Sequence, residues 1–183
     1  MKDQLLIAVD GHDGSGKTTI SKLLAETIKG KYVKPFSGDV GDLIVWLYMN
    51  KNYELLEDLA FNAIQYTIYK NVNEPILVFD RHWLSIASLL PSEKITRQFI
   101  KPITFLCWAN INTTLERLFI RSDDQENAWD NKKYCDLYYR LGIENNVILI
   151  DTSNSPNPTE IVNDIITNKL NYYLAEREER LEI

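Results

Sequence analysis

Abundant cysteine, a long apolar run and an excess of basic residues are all missing from this sequence. The two cysteines, Cys107 and Cys135, form no C-x-x-C motif, so we expect a reducing compartment, the cytoplasm. The 20 Lys and Arg residues stand against 26 Asp and Glu, a formal net charge of −6, so a nucleic-acid partner is not expected. No apolar run approaches the length of a membrane span, and the run at residues 5–9 is too short for a signal peptide, so no membrane partner is expected.

Four short apolar runs are typical of buried strands, residues 31–34 fit a further short strand, and stretches with helical periodicity separate them. The 183 residues suffice for one domain, which we predict over residues 1–183. The predicted strands cover residues 5–9, 31–34, 76–80, 103–108 and 147–151. The predicted helices cover residues 18–29, 39–49, 53–71, 83–90, 113–121 and 129–141, and a last helix starts at 159. Because strands that are apolar throughout are buried on both faces, the pattern predicts an α/β fold with a five-stranded parallel sheet between two layers of helices.

The stretch GHDGSGKT, residues 11–18, joins the first predicted strand to the first helix and fits the pattern G-x-x-x-x-G-K-[ST]. Glycines let backbone N–H groups approach phosphate oxygens, and the helix N-terminus adds partial positive charge. Lys17 supplies a cation for the β- and γ-phosphates, and the Thr18 hydroxyl suits Mg²⁺. A glycine-rich turn without a ligand is the alternative, but the flanking strand and helix favour a nucleoside triphosphate site. Its predicted residues are Gly11, His12, Asp13, Gly14, Ser15, Gly16, Lys17, Thr18 and Thr19.

Two further groups of charged residues suit phosphate chemistry. Asp80 ends the third predicted strand, where an acid helps to hold Mg²⁺ in P-loop folds, and Arg81 follows it. An ion pair that closes the strand is the alternative for these two residues. Arg117 and Arg121 are four residues apart on one helix face, where both charges suit phosphoryl transfer. A solvated face, balanced by neighbouring acids, is the alternative for this pair.

Taken in order, GHDGSGKTT, FDRHWLS, the paired arginines before a polar segment, and ILIDTS resemble the thymidylate kinases among the nucleoside monophosphate kinases. The resemblance covers nearly the whole chain and implies a three-layer P-loop kinase fold that uses ATP and Mg²⁺. It implies that residues 11–19 hold the ATP phosphates and that Asp80 organises Mg²⁺. It also implies that Arg117 and Arg121 belong to a short lid, whose mobile part covers residues 121–129.

The resemblance also implies where the phosphate acceptor binds. Asp13 would reach towards the 3′-hydroxyl of the acceptor sugar, and Arg81 would clamp the acceptor phosphate. Phe61 falls where the family stacks an aromatic ring on the acceptor base, with a core side chain as the alternative. Residues 151–155 would lie near the adenine of ATP. Relatives of this kind suggest a homodimer formed through helices.

Several departures from the family pattern fall on the acceptor side. Gln65 occupies the place of an arginine that contacts the base, and glutamine can hydrogen-bond but carries no charge. The family segment R-E-P-G is replaced at residues 33–36, where Phe36 takes the place of the glycine, and A-Y-Q is replaced at residues 88–90. The lid lacks the usual Asp-Arg pair. The donor residues are therefore better preserved than the acceptor residues.

Three functions are compatible with these sequence features. The first is ATP-dependent conversion of a nucleoside monophosphate to the diphosphate, with dTMP as the leading acceptor. The second keeps the donor site and phosphorylates a nucleoside or another small alcohol, for which Asp13, Asp39 and Asp80 are candidate bases. The third is a nucleotide-binding regulatory module without catalysis, although no N-K-x-D guanine-reading motif follows a late strand. We expect no catalytic role for His12 or His82.

Overall fold

The structure is a computed structural model that describes residues 4–91, 99–121, 128–154 and 157–171. Strands and helices alternate along the chain, as the apolar pattern predicts. The strands are β1 (Leu5–Asp10), β2 (Lys31–Val33), β3 (Ile76–Asp80), β4 (Ile103–Trp108) and β5 (Ile148–Asp151). The helices are α1 (Lys17–Thr27), α2 (Asp39–Met49), α3 (Tyr53–Lys70), α4 (Trp83–Ala87), α5 (Ile111–Ile120), α6 (Ala128–Glu144) and α7 (Pro158–Asp164), and α7 continues into a π-helical segment (Ile165–Leu170).

The five strands form one parallel sheet in the spatial order β2-β3-β1-β4-β5. β1 lies at the centre, between β3 and β4. The register pairs Val9 with Asp80, so the carboxyl ends of β1 and β3 lie side by side. Ligands of open α/β sheets bind at this edge. The predicted phosphate loop after β1 and the Asp-Arg pair at the end of β3 are therefore neighbours in the fold.

Alternate side chains of the central strand pack into cores on opposite faces of the sheet. Val9 packs in one core with Leu24 of α1. Ala8 packs in the other with Phe79 of β3 and Ile68 of α3. Such burial on both faces explains why β1 is apolar without alternation. The helix–sheet–helix arrangement confirms the predicted three-layer α/β fold.

The boundaries of several elements differ from those that periodicity predicts. The helix predicted over residues 83–90 ends at Ala87, and the helix predicted over 129–141 extends from Ala128 to Glu144. The predicted lid falls mostly on residues 122–127, which lie outside the described residues. In the described ranges, none of the helices is both long enough and apolar enough to cross a membrane.

Candidate active site

The loop between β1 and α1 depends on its glycines. Gly14 and Gly16 have positive φ values, of 78° and 84°. At Gly11, a Cβ atom would lie 2.3 Å from the carbonyl oxygen of Cys107, so a larger residue there would displace the backbone. Gly16 is the N-cap of α1 and no side chain caps the helix there, which leaves the positive end of the helix for an anion. The loop therefore has the backbone features that a phosphate site requires.

Lys17, Asp13 and Arg81 form a charged cluster at this loop. Nζ of Lys17 donates to Oδ1 of Asp13 at 3.1 Å and to the carbonyl oxygen of His12 at 3.2 Å. Nη2 of Arg81 donates to the same Oδ1. The side chain of Asp13 is 64% exposed, whereas that of Lys17 is 8% exposed. Two cations from different elements thus converge on one carboxylate oxygen, which is how they would also meet an oxygen of a phosphate.

The cluster shifts the pKa values of its members. Partial burial acts to raise the pKa of Asp13, but the charges of Lys17 and Arg81 outweigh it and hold that pKa below its ordinary value. Burial and the positive charge of Arg81 together lower the pKa of Lys17 to about 8, while Asp13 opposes the shift. Lys17 is therefore mostly a cation at neutral pH, and a bound phosphate would stabilise that charge.

Asp80 is completely buried at the end of β3. Its Oδ2 accepts hydrogen bonds from Oγ1 of Thr18 at 2.7 Å and from the Tyr32 hydroxyl at 2.8 Å. Its Oδ1 is buried and has no hydrogen-bond partner within the described part of the chain. Mg²⁺ is usually held by one or two carboxylates together with water and substrate phosphates. Thr18 and Asp80 therefore fit the ion that the sequence predicts at this place.

Arg81 is held by a series of hydrogen bonds that no sequence motif predicts. Nη1 of Arg81 lies 3.4 Å from the hydroxyl oxygens of Ser85 and Tyr138. Oγ of Ser85 donates to Oδ1 of Asp10 at 2.6 Å. Asp10 is buried at the end of β1 and also accepts from the backbone N–H groups of His82 and Ser85. The sequence contains one signal for these hydrogen bonds, namely Asp10, the acid that ends the first apolar run directly before the glycine motif.

Arg117 connects the loop to the segment that follows β5. Nη1 of Arg117 donates to the carbonyl oxygen of Gly14 at 3.1 Å, and Nη2 donates to the carbonyl oxygen of Thr152 at 2.7 Å. The Thr152 hydroxyl donates in turn to the carbonyl oxygen of Ser15 at 2.8 Å. Arg117 thus supports the loop directly, and its role in phosphoryl transfer stays a prediction, as does that of Arg121.

A cavity of about 320 Å³ adjoins the loop beside these arginines. Its lining combines glycines of the loop, both arginines and apolar side chains from α5 and α7, among them Gly14, Gly16, Arg117, Arg121, Ile120 and Ile161. Apolar walls beside a phosphate loop suit a nucleotide base. Of residues 151–155, which the resemblance places near adenine, the structure describes 151–154, and Thr152 lines this cavity.

A second cavity, of about 430 Å³, opens beside His12 and Asp13 and is enclosed by α2, α4 and α6. Among the described lining residues, Asp13 and Arg81 carry the charge. Most of the others are aromatic or apolar, including Phe36, Ile44, Tyr48, Met49, Leu89 and Tyr134. Phe36, which replaces the family glycine, thus faces a cavity of the right size for an acceptor nucleoside.

Phe61 and Gln65 do not line this second cavity, although the resemblance assigns the acceptor base to them. Both lie on α3, and the Phe61 ring packs edge-to-face against Phe99 with ring centroids 5.7 Å apart. This contact matches the alternative of a packed side chain, and the stacking of Phe61 on the base stays a prediction. The cavity instead receives its aromatic side chains from Phe36, from α2 and from α6.

The two histidines near the loop have structural surroundings. Nδ1 of His12 lies 2.8 Å from the carbonyl oxygen of Asp13, and Nε2 accepts from the backbone N–H of Ala109 at 3.2 Å. His12 thereby ties the loop to the end of β4. His82 is buried against Phe79, with ring centroids 4.8 Å apart, and burial lowers its pKa to about 3. Neither arrangement indicates acid–base chemistry.

No protein-family model matches this sequence. The chain is 33% identical over 182 residues to a Methanocaldococcus jannaschii protein named "Probable thymidylate kinase", and the match covers 91% of this chain and 96% of that protein. It is 28% identical to a Pyrococcus abyssi protein provisionally named adenylate kinase, over 88% of this chain and 82% of that one. The structure of deoxyadenosine kinase from M. mycoides with bound dATP matches with a TM-score of 0.66 and 16% sequence identity, over 92% of this chain and 100% of that chain.

The fold, the loop and these relatives define an ATP-dependent P-loop nucleotide kinase. Given the identity and coverage of the match to the Methanocaldococcus protein, the chain belongs to the thymidylate kinase family. The predicted fold and enzyme class are therefore confirmed. The acceptors in the relatives' names differ, since they are thymidylate, adenylate and deoxyadenosine.

Proposed function

We propose that this kinase transfers the γ-phosphoryl group of ATP to a nucleoside monophosphate, with dTMP as the leading acceptor. One observation carries the proposal: Lys17 and Arg81 converge on Oδ1 of Asp13 where the phosphate loop meets the second cavity. Phosphoryl transfer requires cations at the point where donor and acceptor phosphates meet, because negative charge spreads over the oxygens of the moving group. The name of the Methanocaldococcus relative supports dTMP as that acceptor.

The donor side of the site follows from the loop. Residues 11–19 would hold the ATP phosphates, with Lys17 against the β- and γ-phosphates and the base in the 320 Å³ cavity. Thr18 and Asp80 would hold Mg²⁺, which when bound neutralises charge on the phosphates. Arg117 would keep the loop in shape while Arg121 faces the donor cavity. If a phosphate oxygen took the place of the Asp13 carboxylate beside Lys17 and Arg81, both cations would remain neutralised.

The acceptor side uses the 430 Å³ cavity. Arg81 would bind the acceptor phosphate, and the chain through Tyr138 and Ser85 would hold the guanidinium in place. Asp13 would accept a hydrogen bond from the acceptor sugar. We assign the base to the aromatic and apolar wall that contains Phe36 and Tyr48, instead of to Phe61, because an apolar wall also suits the methyl group of thymine.

A nucleoside is the second candidate acceptor, and the charge of the acceptor cavity favours it. Among the described residues that line the cavity, Arg81 is the one permanent cation, and it is paired with Asp13. A neutral nucleoside would leave that pair intact, and the exposed Asp13 carboxylate could accept the proton of its hydroxyl group. A monophosphate would have to replace Asp13 as the partner of Arg81.

The experiment is steady-state turnover of Mg·ATP with dTMP, dUMP, dAMP, AMP, thymidine and deoxyadenosine, followed as ADP release with the mass of each product confirmed. Lys17→Met is the inactive control, and Lys70→Met, on the exposed side of α3, is the matched control for a lost lysine. Conversion of dTMP to dTDP well above the acceptor-free rate supports the proposal. If no monophosphate reacts at high enzyme concentration, the proposal is wrong, and a faster reaction of thymidine than of dTMP establishes the second candidate.

A further inference from the structure

Tyr32 makes a contact with the predicted metal site that no sequence motif indicates. Its hydroxyl donates to Oδ2 of Asp80 at 2.8 Å, although 48 positions separate the two residues. Oγ1 of Thr18 donates to the same oxygen at 2.7 Å. Both hydroxyl protons are thus directed to Oδ2, while the buried Oδ1 has no hydrogen-bond partner in the described ranges. The two oxygens of one carboxylate therefore have different surroundings.

The sheet explains how Tyr32 reaches this place. β2 is an edge strand of three residues, and its register pairs Tyr32 with Val78 of β3. Val78 and Asp80 are two residues apart, so their side chains point to the same face of the sheet. Tyr32 also packs against the core on that face, and Nζ of Lys22 lies 5.7 Å from the centre of its ring. The ring is thus held from two sides, which fixes the direction of its hydroxyl.

We propose that Tyr32 is a positioning residue for Mg²⁺: its hydrogen bond to Oδ2 orients the Asp80 carboxylate so that Oδ1 faces the ion. The donation from Thr18 to Oδ2 complements this, because a hydroxyl that gives its proton to Asp80 keeps its lone pairs for the metal. Outer hydrogen bonds of this kind orient metal-binding carboxylates in general.

This inference rests on the part of the proposed function that places Mg²⁺ at Thr18 and Asp80, and it is independent of the acceptor. Tyr32→Phe is the variant of choice because the ring and its packing are kept while the hydroxyl is lost. Tyr69→Phe, at a side chain that is 77% exposed at the end of α3, is the matched control. The probe is Mn²⁺, titrated into protein saturated with a non-hydrolysable ATP analogue and followed by the electron paramagnetic resonance signal of free Mn²⁺.

The proposal predicts that Tyr32→Phe weakens Mn²⁺ binding about 10- to 100-fold, the usual cost of removing an outer hydrogen bond at a metal site. Affinity for the analogue without metal should stay unchanged in both variants. In turnover assays, the Mg²⁺ concentration for half-maximal rate should rise for Tyr32→Phe, while kcat at saturating Mg²⁺ returns to the wild-type value.

Each other outcome overturns the inference in a distinguishable way. Equal Mn²⁺ affinity in Tyr32→Phe and wild type shows that the hydroxyl does not position the carboxylate. Loss of metal-free analogue binding together with a lower melting temperature shows that Tyr32 supports the fold only. If wild-type protein with bound analogue takes up no Mn²⁺, the metal site of the proposed function fails along with the inference.

Discussion

Both terminal nitrogens of Arg117 donate hydrogen bonds to Thr152: Nη2 donates to the carbonyl oxygen at 2.7 Å, and Nη1 donates to the hydroxyl oxygen at 3.1 Å. The Thr152 hydroxyl passes its own proton to the carbonyl oxygen of Ser15 at 2.8 Å. Thr152 is 2% exposed. The segment after β5 therefore holds the phosphate loop through one buried hydroxyl, which acts as donor and acceptor at once.

Replacing that hydroxyl by a methyl group tests the importance of this support. Thr152→Val keeps the shape of the side chain but removes the donor to Ser15 and one acceptor of Arg117. Because buried polar groups lose their partners, we expect the free energy of unfolding to fall by about 1–3 kcal/mol, measured by equilibrium denaturation in urea. Affinity for ATP should fall as well, since the loop loses one of its restraints.

Thr27→Val is the matched control, because the Thr27 hydroxyl bonds the carbonyl oxygen of Leu23 on the exposed surface of α1. Its effect on the free energy of unfolding should stay within about 0.5 kcal/mol, as for most surface substitutions. Equal effects of the two variants would show that the contact between Thr152 and the loop adds nothing beyond an ordinary threonine hydrogen bond.

The sequence predicted the parts of this molecule that are local in the chain. Strands such as residues 76–80 are short runs that are apolar up to a final aspartate, which suits burial on both faces, and the structure confirms them within a few residues. The loop was predictable because the close approach at Gly11 and the positive φ values at Gly14 and Gly16 leave glycine as the residue that fits. The place of Asp80 beside the loop was predictable because it ends a strand at the edge of the sheet where ligands bind.

The remaining parts of the site depend on long-range contacts that no spacing encodes. Ser85 lies 75 positions from Asp10, and Tyr138 lies 53 positions from Ser85, yet they form one chain of hydrogen bonds. The 430 Å³ cavity, to which we assign the acceptor, is likewise assembled from α2, α4 and α6. Phe61 likewise packs against Phe99, a contact 38 positions away along the chain, and its stacking on the acceptor base stays a prediction. Packing between helices, rather than local pattern, decides which aromatic ring enters the cavity.

The buried amine of Lys17 predicts how ATP binding depends on pH. Burial, with the charge of Arg81, lowers the Lys17 pKa from 10.5 to about 8 in the free enzyme. As the pH rises above that value, a growing fraction of the free enzyme has a neutral Lys17 and must take up a proton to bind ATP. We therefore expect the affinity for ATP, measured by calorimetry between pH 6.5 and 10, to fall about tenfold per pH unit above pH 8.

The free energy of unfolding should change in the opposite direction over the same range. Between pH 8 and 10.5 the unfolded chain carries a protonated Lys17 while the folded chain without ATP has lost that proton. Because the unfolded state then binds more protons, the contribution of Lys17 to the free energy of unfolding rises with pH in this window. Lys17→Met is the control for the ATP titration. This variant should bind ATP more weakly, and its affinity should show no fall that begins near pH 8. A wild-type affinity that stays constant to pH 10 would contradict the assignment.

Tyr138 offers a test of how Arg81 is positioned. The Tyr138 hydroxyl lies 3.4 Å from Nη1 of Arg81 and donates to Oγ of Ser85 at 3.2 Å. Tyr138→Phe removes this link and keeps the ring. We expect kcat/KM for the acceptor to fall about fivefold, which corresponds to about 1 kcal/mol for one hydrogen bond. KM for ATP should stay unchanged, since Tyr138 lines the 430 Å³ cavity assigned to the acceptor and does not line the 320 Å³ cavity assigned to ATP.

Tyr139→Phe is the matched control for Tyr138→Phe. Its ring lies beside Trp108, with centroids 5.5 Å apart, and its side chain is 41% exposed. This variant should keep the kinetic constants of the wild type. A rise in KM for ATP in Tyr138→Phe, alongside the fall in kcat/KM for the acceptor, would instead indicate a general loosening of α6.

Gly11 and Gly38 both have positive φ values, of 151° and 58°, but a Cβ atom would clash with its surroundings at Gly11 and would find open space at Gly38. A Cβ at Gly11 would lie 2.3 Å from the carbonyl oxygen of Cys107 and 2.6 Å from Oγ of Ser15, so the loop must move to admit a methyl group. At Gly38, where φ is 58°, a Cβ would meet nothing within 4 Å. Gly38→Ala should therefore cost only the unfavourable backbone conformation, with φ 58° and ψ −142°, about 1–3 kcal/mol in the free energy of unfolding.

Gly11→Ala should cost more in stability than Gly38→Ala and should also abolish detectable ATP binding, because the displaced backbone carries the N–H groups that would face the phosphates of ATP. Urea denaturation and ATP calorimetry on both variants measure the two effects separately. If Gly11→Ala were as stable as Gly38→Ala but failed to bind ATP, the loop would have relaxed without strain into a shape that no longer receives a phosphate. If Gly11→Ala bound ATP like the wild type, the close approach of Gly11 to β4 would not be a requirement of the site.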